Sequence, residues 1–449
     1  MLRLPKAAEP LVSAFSVAFT RPTFQRVRVL FLGAVLSLGH RTITGMLRAV
    51  GPLAKGHWSD FHRVLSCRVW SAWPLAKVLA AMMLELIPAD QPVVCPVDDT
   101  TQQHKGKHVY GNGWHRDACR STHRHLAQVS GHKWVMLAIN VKFPFASRPW
   151  ALPVLCALYR LPGSNAQSRR HKTPTDLARQ LIATLIHWFP HRKFILVGDG
   201  GFASHGLSRF CHRHGRHCTL VSRFHSDANL YELPKKEHMP RRGRPRIKGR
   251  KLPKAQEVVE VAKAKGKHFT VNWYGGQTRR VELIWGEGHW YKVNEGMTPV
   301  RWVFIHDAQG THRDEYVYST DPTLPPDQIV SLFTARWNIE VTFQEVRAHL
   351  GLATPRNWSA KSVLRTTPCL LGLFSLVSLI FHRHTRGRAI RPATKAWYAK
   401  TEPTFSDAIT CVRRLCWAEI LQQPCWHGGV EKFPRRLRFT LLDHLSRAA

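Results

Sequence analysis

The stretch of sequence that decides the fold is Phe333-Thr334-Ala335-Arg336-Trp337-Asn338-Ile339-Glu340, with Arg347 two helical turns further on. Because an α-helix has about 3.6 residues per turn, Phe333, Arg336, Glu340 and Arg347 fall within one narrow stripe. A carboxylate between two guanidinium groups on one helix face is unusual for a surface that meets only water. It suits a site that holds a metal ion beside a phosphate backbone.

Two further acidic sites follow short apolar runs that are typical of buried strands. Asp98 and Asp99 come directly after Val93–Val97, and Asp199 follows Phe194–Val197 and a glycine. Successive strand residues face opposite sides of a sheet, so only one of Asp98 and Asp99 can easily enter a common site, and Asp98 is favoured.

Glutamates on the helix can be separated in the same way. Glu345 lies almost opposite the stripe that holds Glu340 and Arg336. Glu340 is therefore the candidate ligand. A plain ion pair between Arg336 and Glu340 is the alternative interpretation.

The charge balance points to a polyanionic partner. The 449 residues include 66 Lys+Arg against 29 Asp+Glu, which gives a formal net charge of +37. Such a field is typical of proteins that bind nucleic acid. Membrane-surface binding is less well supported, because the positive charge is spread along the whole chain instead of being gathered on one amphipathic helix.

Cysteine usage and hydropathy favour a cytoplasmic protein without a membrane partner. The ten cysteines have no spacing that suggests a disulfide framework, and residues 1–5 lack the apolar stretch of a signal peptide. The longest apolar run, Cys369–Phe381, is about half the length needed to cross a bilayer, so it predicts a buried helix.

The order of apolar patterns predicts an α/β core between helical ends. Strands are expected at Val93–Val97, Trp134–Val141, Leu152–Tyr159, Phe194–Val197 and Thr219–Ser222, with a helix over Thr173–Phe189. The predicted organisation is a helical DNA-binding region (1–90), a first part of the core (91–225), a basic loop and antiparallel β insertion (226–300), a second part of the core with the glutamate helix (301–352), and a helical basic C-terminal region (353–449).

Three weaker motifs each have an ordinary alternative. His40–Arg48 resembles a helix of a helix-turn-helix, or is a plain amphipathic helix. Arg242 and Arg244, in an Arg-Gly-Arg-Pro stretch, resemble the minor-groove contacts of an AT-hook, or belong to a solvated basic loop. Cys211–Cys218 contains residue types that bind zinc, but the spacing matches no standard site and a basic helix end is favoured.

Three carboxylates at one sheet edge would bind two divalent cations. Two such ions activate an attacking hydroxyl and stabilise the leaving oxygen of an in-line phosphoryl displacement. Oxygen ligands favour Mg²⁺, with Mn²⁺ as a substitute. The expected metal ligands are Asp98, Asp199 and Glu340, and Asp99 belongs to the candidate catalytic set.

Taken together, these residues resemble the DDE insertion-sequence transposases, which have an RNase H-like core, and in particular the branch with a Y-(2)-R-(3)-E-(6)-K signature. Phe333, Arg336, Glu340 and Arg347 stand at those spacings, and the resemblance covers roughly residues 91–350. The long stretch between Asp199 and Glu340 leaves room for the β-rich insertion of that branch. Phe333 in place of Tyr loses a hydroxyl contact to phosphate, and Arg347 in place of Lys keeps the charge with a different geometry.

The resemblance implies that the protein is a DNA transposase. It implies metal-dependent cleavage at the ends of an insertion sequence, strand transfer into double-stranded target DNA, and a homodimer on DNA in a prokaryotic cytoplasm, associated with the nucleoid. It also implies that Arg336 and Arg347 bind phosphates near the cleavage point. Trp337 could stack on a base, although a core position is favoured for it. A two-metal nuclease without strand transfer and a non-catalytic DNA-binding derivative of a transposase are the alternatives.

Overall fold

The computed structural model describes most of the chain. The described residues are 2–117, 120–122, 124–163, 170–234, 246–262, 266–386, 388, 400–422 and 434–447. The basic motif with Arg242 and Arg244 lies outside these ranges. The helices are α1 Glu9–Ser13, α2 Arg21–Leu36, α3 Ile43–Val50, α4 Trp58–Ser66, α5 Ala72–Leu84, α6 Pro174–Trp188, α7 His205–Arg213, α8 Ala255–Ala262, α9 Pro326–Thr334, α10 Asn338–Leu350, α11 Ala360–Thr385, α12 Phe405–Leu421 and α13 Arg435–Ser446.

The described strands join into one mixed sheet. They are β1 Val93–Gln103, β2 Gly113–Arg116, β3 Gln128–Val141, β4 Trp150–Tyr159, β5 Phe194–Gly198, β6 Cys218–Arg223, β7 Leu230–Tyr231, β8 Lys267–Asn272, β9 Thr278–Lys292, β10 Gly296–His306 and β11 Glu315–Ser319. The order is β2-β3-β1-β5-β6-β11-β10-β9-β7, with β4 also paired to β3 and β8 to β9. The five strands expected from the sequence are all present, and the short β2 and β7 were not expected.

The core of the sheet has the strand order of the RNase H-like fold. Strands β4, β3 and β1 are antiparallel neighbours, whereas β5 and β6 run parallel to β1. Helix α6, which matches the helix expected over Thr173–Phe189, connects β4 to β5, and Thr173 begins it with a capping box. Fold class and flanking helices are therefore as the sequence analysis predicted.

The parallel pairing of β1 and β5 decides the position of two candidate residues. Val97 is opposite Gly198 at the last pair of this ladder, so Asp98 and Asp199 follow it side by side on neighbouring strands. The bend into the 3-10 turn Gly200–Phe202 begins at Asp199, whose Oδ1 accepts a hydrogen bond from the Gly201 amide at 2.9 Å. The two carboxylates therefore lie at one edge of the sheet.

The insertion extends the core sheet and does not form a separate small sheet. Strand β11 pairs antiparallel with β6, and β10 and β9 continue outward from it. Because β10 pairs with β9 along its whole length, from Gly296 to His306, the boundary expected at residue 300 falls inside a strand. The insertion joins the core sheet through the pairing of β11 with β6, two strands far apart in the chain, and no local sequence pattern reports such a pairing.

The expected glutamate helix is interrupted. Helix α9 ends at Thr334, a 3-10 turn spans Ala335–Trp337, and α10 begins at Asn338. The two helices pack on different apolar clusters: Phe333 lies in a cluster with β5, β6 and the inserted strands, whereas Ile339 lies in the main core. The backbone stays helical through the 3-10 turn, but Phe333 packs in a different apolar cluster from the residues that surround Glu340.

Helix α11 is the buried helix that Cys369–Phe381 predicted. Among the described residues it is long and apolar enough to span a membrane by length and composition, yet 78% of its most apolar window is buried inside the protein. This is the pattern of the core helix of a globular protein. It packs against β4, where the Ser375 hydroxyl donates a hydrogen bond to the Pro153 carbonyl at 2.7 Å.

Candidate active site

Asp98 is partly buried and lies close to the carboxylate of Asp199 and the guanidinium of Arg336. Its Oδ1 accepts a hydrogen bond from the Asp99 amide at 2.8 Å, and its side chain is 16% exposed. Burial, followed by the charge of Asp199, raises the pKa of Asp98 to about 7, although Arg336 acts in the opposite direction. Crowded carboxylates with a raised pKa are typical of a site that binds a cation or moves protons.

Arg336 joins the aspartate strand to the glutamate helix. One terminal nitrogen lies 2.9 Å from Oδ2 of Asp98, and the other lies 2.8 Å from Oε1 of Glu340. Burial acts to lower the pKa of Arg336, but the charges of Asp98, Glu340 and Asp199 outweigh it and raise the pKa. One guanidinium thus connects all three carboxylates electrostatically.

This arrangement changes the role expected for Arg336. Its side chain is only 12% exposed and both terminal nitrogens face carboxylates, so it does not present a free guanidinium to a DNA phosphate. The alternative of a plain pair with Glu340 on a solvated helix also fails, because Asp98 on a distant strand completes the bridge. Helical spacing predicted the pair with Glu340 but not the partner on β1.

Asp99 faces a different environment from Asp98. Its carboxylate pairs with the Lys133 ammonium on β3 at 3.0 Å. Burial raises the pKa of Asp99, with Lys133 opposing this and the charge of Asp199 adding to it. Asp98 is the aspartate that contacts Arg336, and this favours it over Asp99 as the candidate ligand.

Arg347 lies on the same side of α10 as Glu340. It donates a hydrogen bond to the Thr100 hydroxyl on β1, and its guanidinium carbon lies 5.9 Å from the centre of the Phe343 ring. The residue as a whole is exposed, so solvent or a ligand can reach it. Glu345 pairs instead with His349 at 3.2 Å, away from this group.

Phe333 is buried and Trp337 is exposed, in contrast to the positions that the sequence suggested for them. Phe333 is 3% exposed in the second apolar cluster, so even a tyrosine there would be enclosed by apolar side chains. Trp337 is 44% exposed, and its ring meets that of Tyr274 edge-on at 5.8 Å. The core position favoured for Trp337 was therefore wrong, because nearly half of this residue is open to solvent.

Several polar residues near the carboxylates were not found from the sequence. Arg223 at the end of β6 would touch a side chain placed at Gly200, and it bonds to the buried carboxylate of Glu315. Tyr274 lies in the turn between β8 and β9, where the charges of Glu315, Arg336 and Arg223 act on it. Isolated polar residues in strands carry no periodic signal, and strand pairing alone brings them to the site.

The weaker motifs have separate outcomes. The thiols of Cys211 and Cys218 lie 3.6 Å apart in the core, and the eight described cysteines are free. The second part of the segment His40–Arg48 lies in the amphipathic helix α3, which exposes Arg48. Arg41, which precedes the helix, is buried and donates to the His349 carbonyl at 2.5 Å. Arg41 therefore stabilises the packing of this region against α10 and is not available to DNA.

The donor types suit a hard divalent cation, since all three expected ligands are carboxylates. Within the described ranges, no group of three or more His, Cys, Asp or Glu side chains lies together in a way that could hold a metal ion. The guanidinium of Arg336 lies between Asp98 and Glu340 and pairs with both. The residues fit a metal chemically, and Arg336 engages only one oxygen of each carboxylate, Oδ2 of Asp98 and Oε1 of Glu340.

Residues 14–280 match the family model of the DDE superfamily endonucleases, which is more than half of the chain. This chain is a member of that family. The matched segment contains Asp98 and Asp199 and ends before Glu340. Endonucleases of this superfamily generally use divalent metal ions.

The chain is also similar to a solved structure of the piggyBac transposase synaptic complex with hairpin DNA. The sequence identity is 10%, the TM-score is 0.42, and the alignment covers 98% of this chain and 81% of the other. No curated protein matches the chain significantly.

Proposed function

We propose that this DDE superfamily endonuclease is a DNA transposase of an insertion sequence. It would cut double-stranded DNA at the element's ends and join the freed 3′ ends to a target. The observation that carries the proposal is the position of Asp98 on β1 beside Asp199, which directly follows β5, with Glu340 bridged to Asp98 through Arg336.

Asp98, Asp199 and Glu340 would hold the divalent ions, and Mg²⁺ fits their oxygen donors. Such ions supply activation of the attacking hydroxyl and stabilisation of the leaving oxygen. Asp98 contributes a raised pKa, which burial and Asp199 cause, so proton loss and cation binding are coupled there. Asp99 is proposed to support the site through Lys133 and is not proposed as a ligand.

Arg336 is proposed as a positioning residue. By bonding Asp98 and Glu340 together it orients the carboxylates while no cation is bound, and it keeps its charge beside them afterwards. Arg347, which is exposed and bonded to Thr100, is the better candidate for contacting a DNA phosphate.

The partner is proposed to be duplex DNA, because the formal charge is +37 and exposed basic residues such as Arg48 and Arg347 occur in separate parts of the fold. A homodimer on DNA, which would hold both element ends, is part of this proposal. So are the roles of Arg242 and Arg244 in minor-groove contact, Trp337 as a base-stacking residue, and a prokaryotic cytoplasmic location at the nucleoid.

The first test removes one carboxylate charge at a time while preserving volume. Asp199→Asn and Glu340→Gln should each lower cleavage of element-end DNA by about 10³-fold or more, because the transition state loses charge stabilisation. DNA binding, measured by gel shift, should remain within about threefold of wild type, since neither carboxylate is attracted to phosphate.

The matched control is Glu345→Gln, which lies on the same helix but pairs with His349. It should cleave like wild type. Cleavage at the wild-type rate by either site variant would remove that residue from the mechanism. Cleavage by the wild type without any joined product would support the endonuclease activity and exclude strand transfer.

A further inference from the structure

The turn between β8 and β9 is hydrogen-bonded to α9, the helix that precedes the candidate active site. The Asn272 amide donates to the Ser331 hydroxyl at 3.1 Å, and the Thr334 hydroxyl donates to the Asn272 carbonyl at 2.9 Å. These bonds hold the inserted hairpin directly against the residues before Arg336. The position of the turn is therefore coupled to that of the glutamate helix.

The same turn is closed tightly on its other side. Gly275 and Gly276 have φ angles of 73° and 81°, which favour glycine. A side chain at Gly276 would come within 3.1 Å of Arg148 and Ser147. The turn therefore presents Tyr274, which precedes these glycines, in one defined place.

Tyr274 is held by aromatic rings on three sides. Its ring stacks on His312 with centroids 5.4 Å apart and planes at 5°. It meets Trp273 at 5.2 Å and Trp337 at 5.8 Å, both edge-on. The charges of Arg336 and Glu340 act on Tyr274, so the aromatic group lies near the carboxylate bridge. These contacts orient the ring without using the hydroxyl group.

The surroundings keep the Tyr274 hydroxyl protonated. Burial, followed by the charge of Glu315, raises the pKa of Tyr274 to about 12, with Arg336 and Arg223 opposing and Glu340 adding to the rise. Among the described residues the hydroxyl makes no hydrogen bond. A neutral, oriented phenol with an unused proton is a donor for an anionic oxygen.

We propose that Tyr274 donates a hydrogen bond to a phosphate oxygen of the DNA strand bound at Asp98, Asp199 and Glu340. The inserted hairpin would thereby supply the phenol that Phe333, which is buried in an apolar cluster, lacks. Tyr274 is then a substrate-contacting residue on a different element from the signature helix. This inference rests on the proposed function.

The test compares Tyr274→Phe with wild type in cleavage of element-end DNA. This change keeps the ring and its stacking, so thermal stability should stay unchanged. Cleavage should fall by about 10- to 100-fold, the effect of losing a hydrogen bond to a charged group. Tyr291→Phe is the matched control, because Tyr291 also lies in the insertion but packs on Tyr231 and Lys248.

A second readout identifies the phosphate. End DNA is made with a single neutral methylphosphonate at each position around the cut. At the contacted position, in the diastereomer whose methyl group replaces the contacted oxygen, wild type and Tyr274→Phe should cleave equally, because the hydrogen bond is absent from both. Equal cleavage of natural DNA by the two proteins, or additive losses at every position, would overturn the assignment. A wild type that cleaves no DNA would overturn the proposed function and this inference together.

Discussion

At the scale of single residues, the candidate site depends on which neighbours each charge finds. Asp98 and Asp99 are adjacent in sequence, yet one contacts Arg336 and the other Lys133. Arg336 was expected to hold phosphate and instead satisfies two carboxylates. An ion pair between residues far apart in the chain can thus give a motif residue a structural role that the motif alone does not indicate.

Replacing Arg336 should make the protein depend on divalent cations for stability. Arg336→Met removes the charge and keeps much of the volume, which leaves Asp98 and Glu340 unpaired. We expect a loss of about 2–4 kcal/mol in the absence of metal. Added Mg²⁺ should recover part of it, because the cation replaces the guanidinium between the carboxylates.

Thermal unfolding with a chelator and with Mg²⁺ measures this effect. Arg26→Met is the control, since Arg26 pairs with Asp60 at 3.0 Å on the N-terminal helices. Its stability should not respond to Mg²⁺ more than that of wild type. An equal Mg²⁺ response in Arg336→Met and wild type would show that the guanidinium does not compete with the ion.

Asp98→Asn should alter the pH dependence of stability. The folded pKa of Asp98 is about 7, whereas an aspartate in an unfolded chain ionises near about 4. Between these values the folded state holds a proton that the unfolded state has released, so stability falls as pH rises to about 7 and then stays level. The variant lacks this fall. Its stability relative to wild type should rise by about 1–3 kcal/mol from about pH 5 to about pH 8.

Urea unfolding at several pH values measures this trend. Asp176→Asn is the control, because burial acts to raise its pKa but hydrogen bonds from Thr173 outweigh it and lower the pKa. The stability that Asp176 provides is complete above about pH 4, so its loss should be constant between about pH 5 and pH 8. A constant difference for Asp98→Asn as well would contradict the raised pKa.

At the scale of elements, the glutamate helix depends on how its ends are held. Helix α10 begins after the 3-10 turn that carries Arg336 and ends at Gly351, whose φ of 60° is left-handed. The Thr354 hydroxyl donates to the Gly351 carbonyl at 2.7 Å and accepts from the Arg41 amide at 2.9 Å. This end of the helix is thus connected to the N-terminal helices.

Gly351→Ala should destabilise the protein by about 1–2 kcal/mol. A side chain there is strained by the positive φ and would come within 2.8 Å of the Thr354 hydroxyl oxygen. Chemical denaturation measures the change. Gly39→Ala is the control, because a side chain at Gly39 meets nothing within 4 Å. A loss no larger than that of Gly39→Ala would indicate that the turn rearranges without cost.

At the scale of the whole molecule, the excess of positive charge remains mostly at the surface. A formal charge of +37 repels itself in the free protein and is favoured beside a polyanion. Some arginines nevertheless serve the interior: Arg413, which is 1% exposed, donates to the Val35 carbonyl at 2.8 Å. The net charge therefore overstates the number of groups available to DNA.

Binding of duplex DNA should weaken steeply as salt is added. Each phosphate that the protein neutralises releases counterions, so a protein with several contacts loses about 10³-fold or more in affinity between about 50 mM and 200 mM salt. Fluorescence anisotropy with labelled element-end and unrelated duplexes measures the slope. A binding constant that barely changes with salt would show that the positive charge of the protein does not act by neutralising DNA phosphates.

The sequence by itself determined the five expected core strands, the helix over Thr173–Phe189, the α/β class of the core and the candidates Asp98, Asp199 and Glu340. These follow from local periodicity, from turn residues and from the scarcity of acidic residues in a basic chain. The alternation of strand residues indicated that only one of Asp98 and Asp99 could easily enter the site, with Asp98 preferred, but the partners of the two side chains were not visible.

Only the tertiary structure decided that Arg336 bridges two carboxylates, that Phe333 and Trp337 lie in opposite environments, and that the insertion continues the core sheet. Each depends on pairing between segments far apart in the chain, such as β6 with β11 or Arg336 with β1. Local patterns contain no record of register or of the partners a side chain will meet, because these arise from the packing of the whole chain.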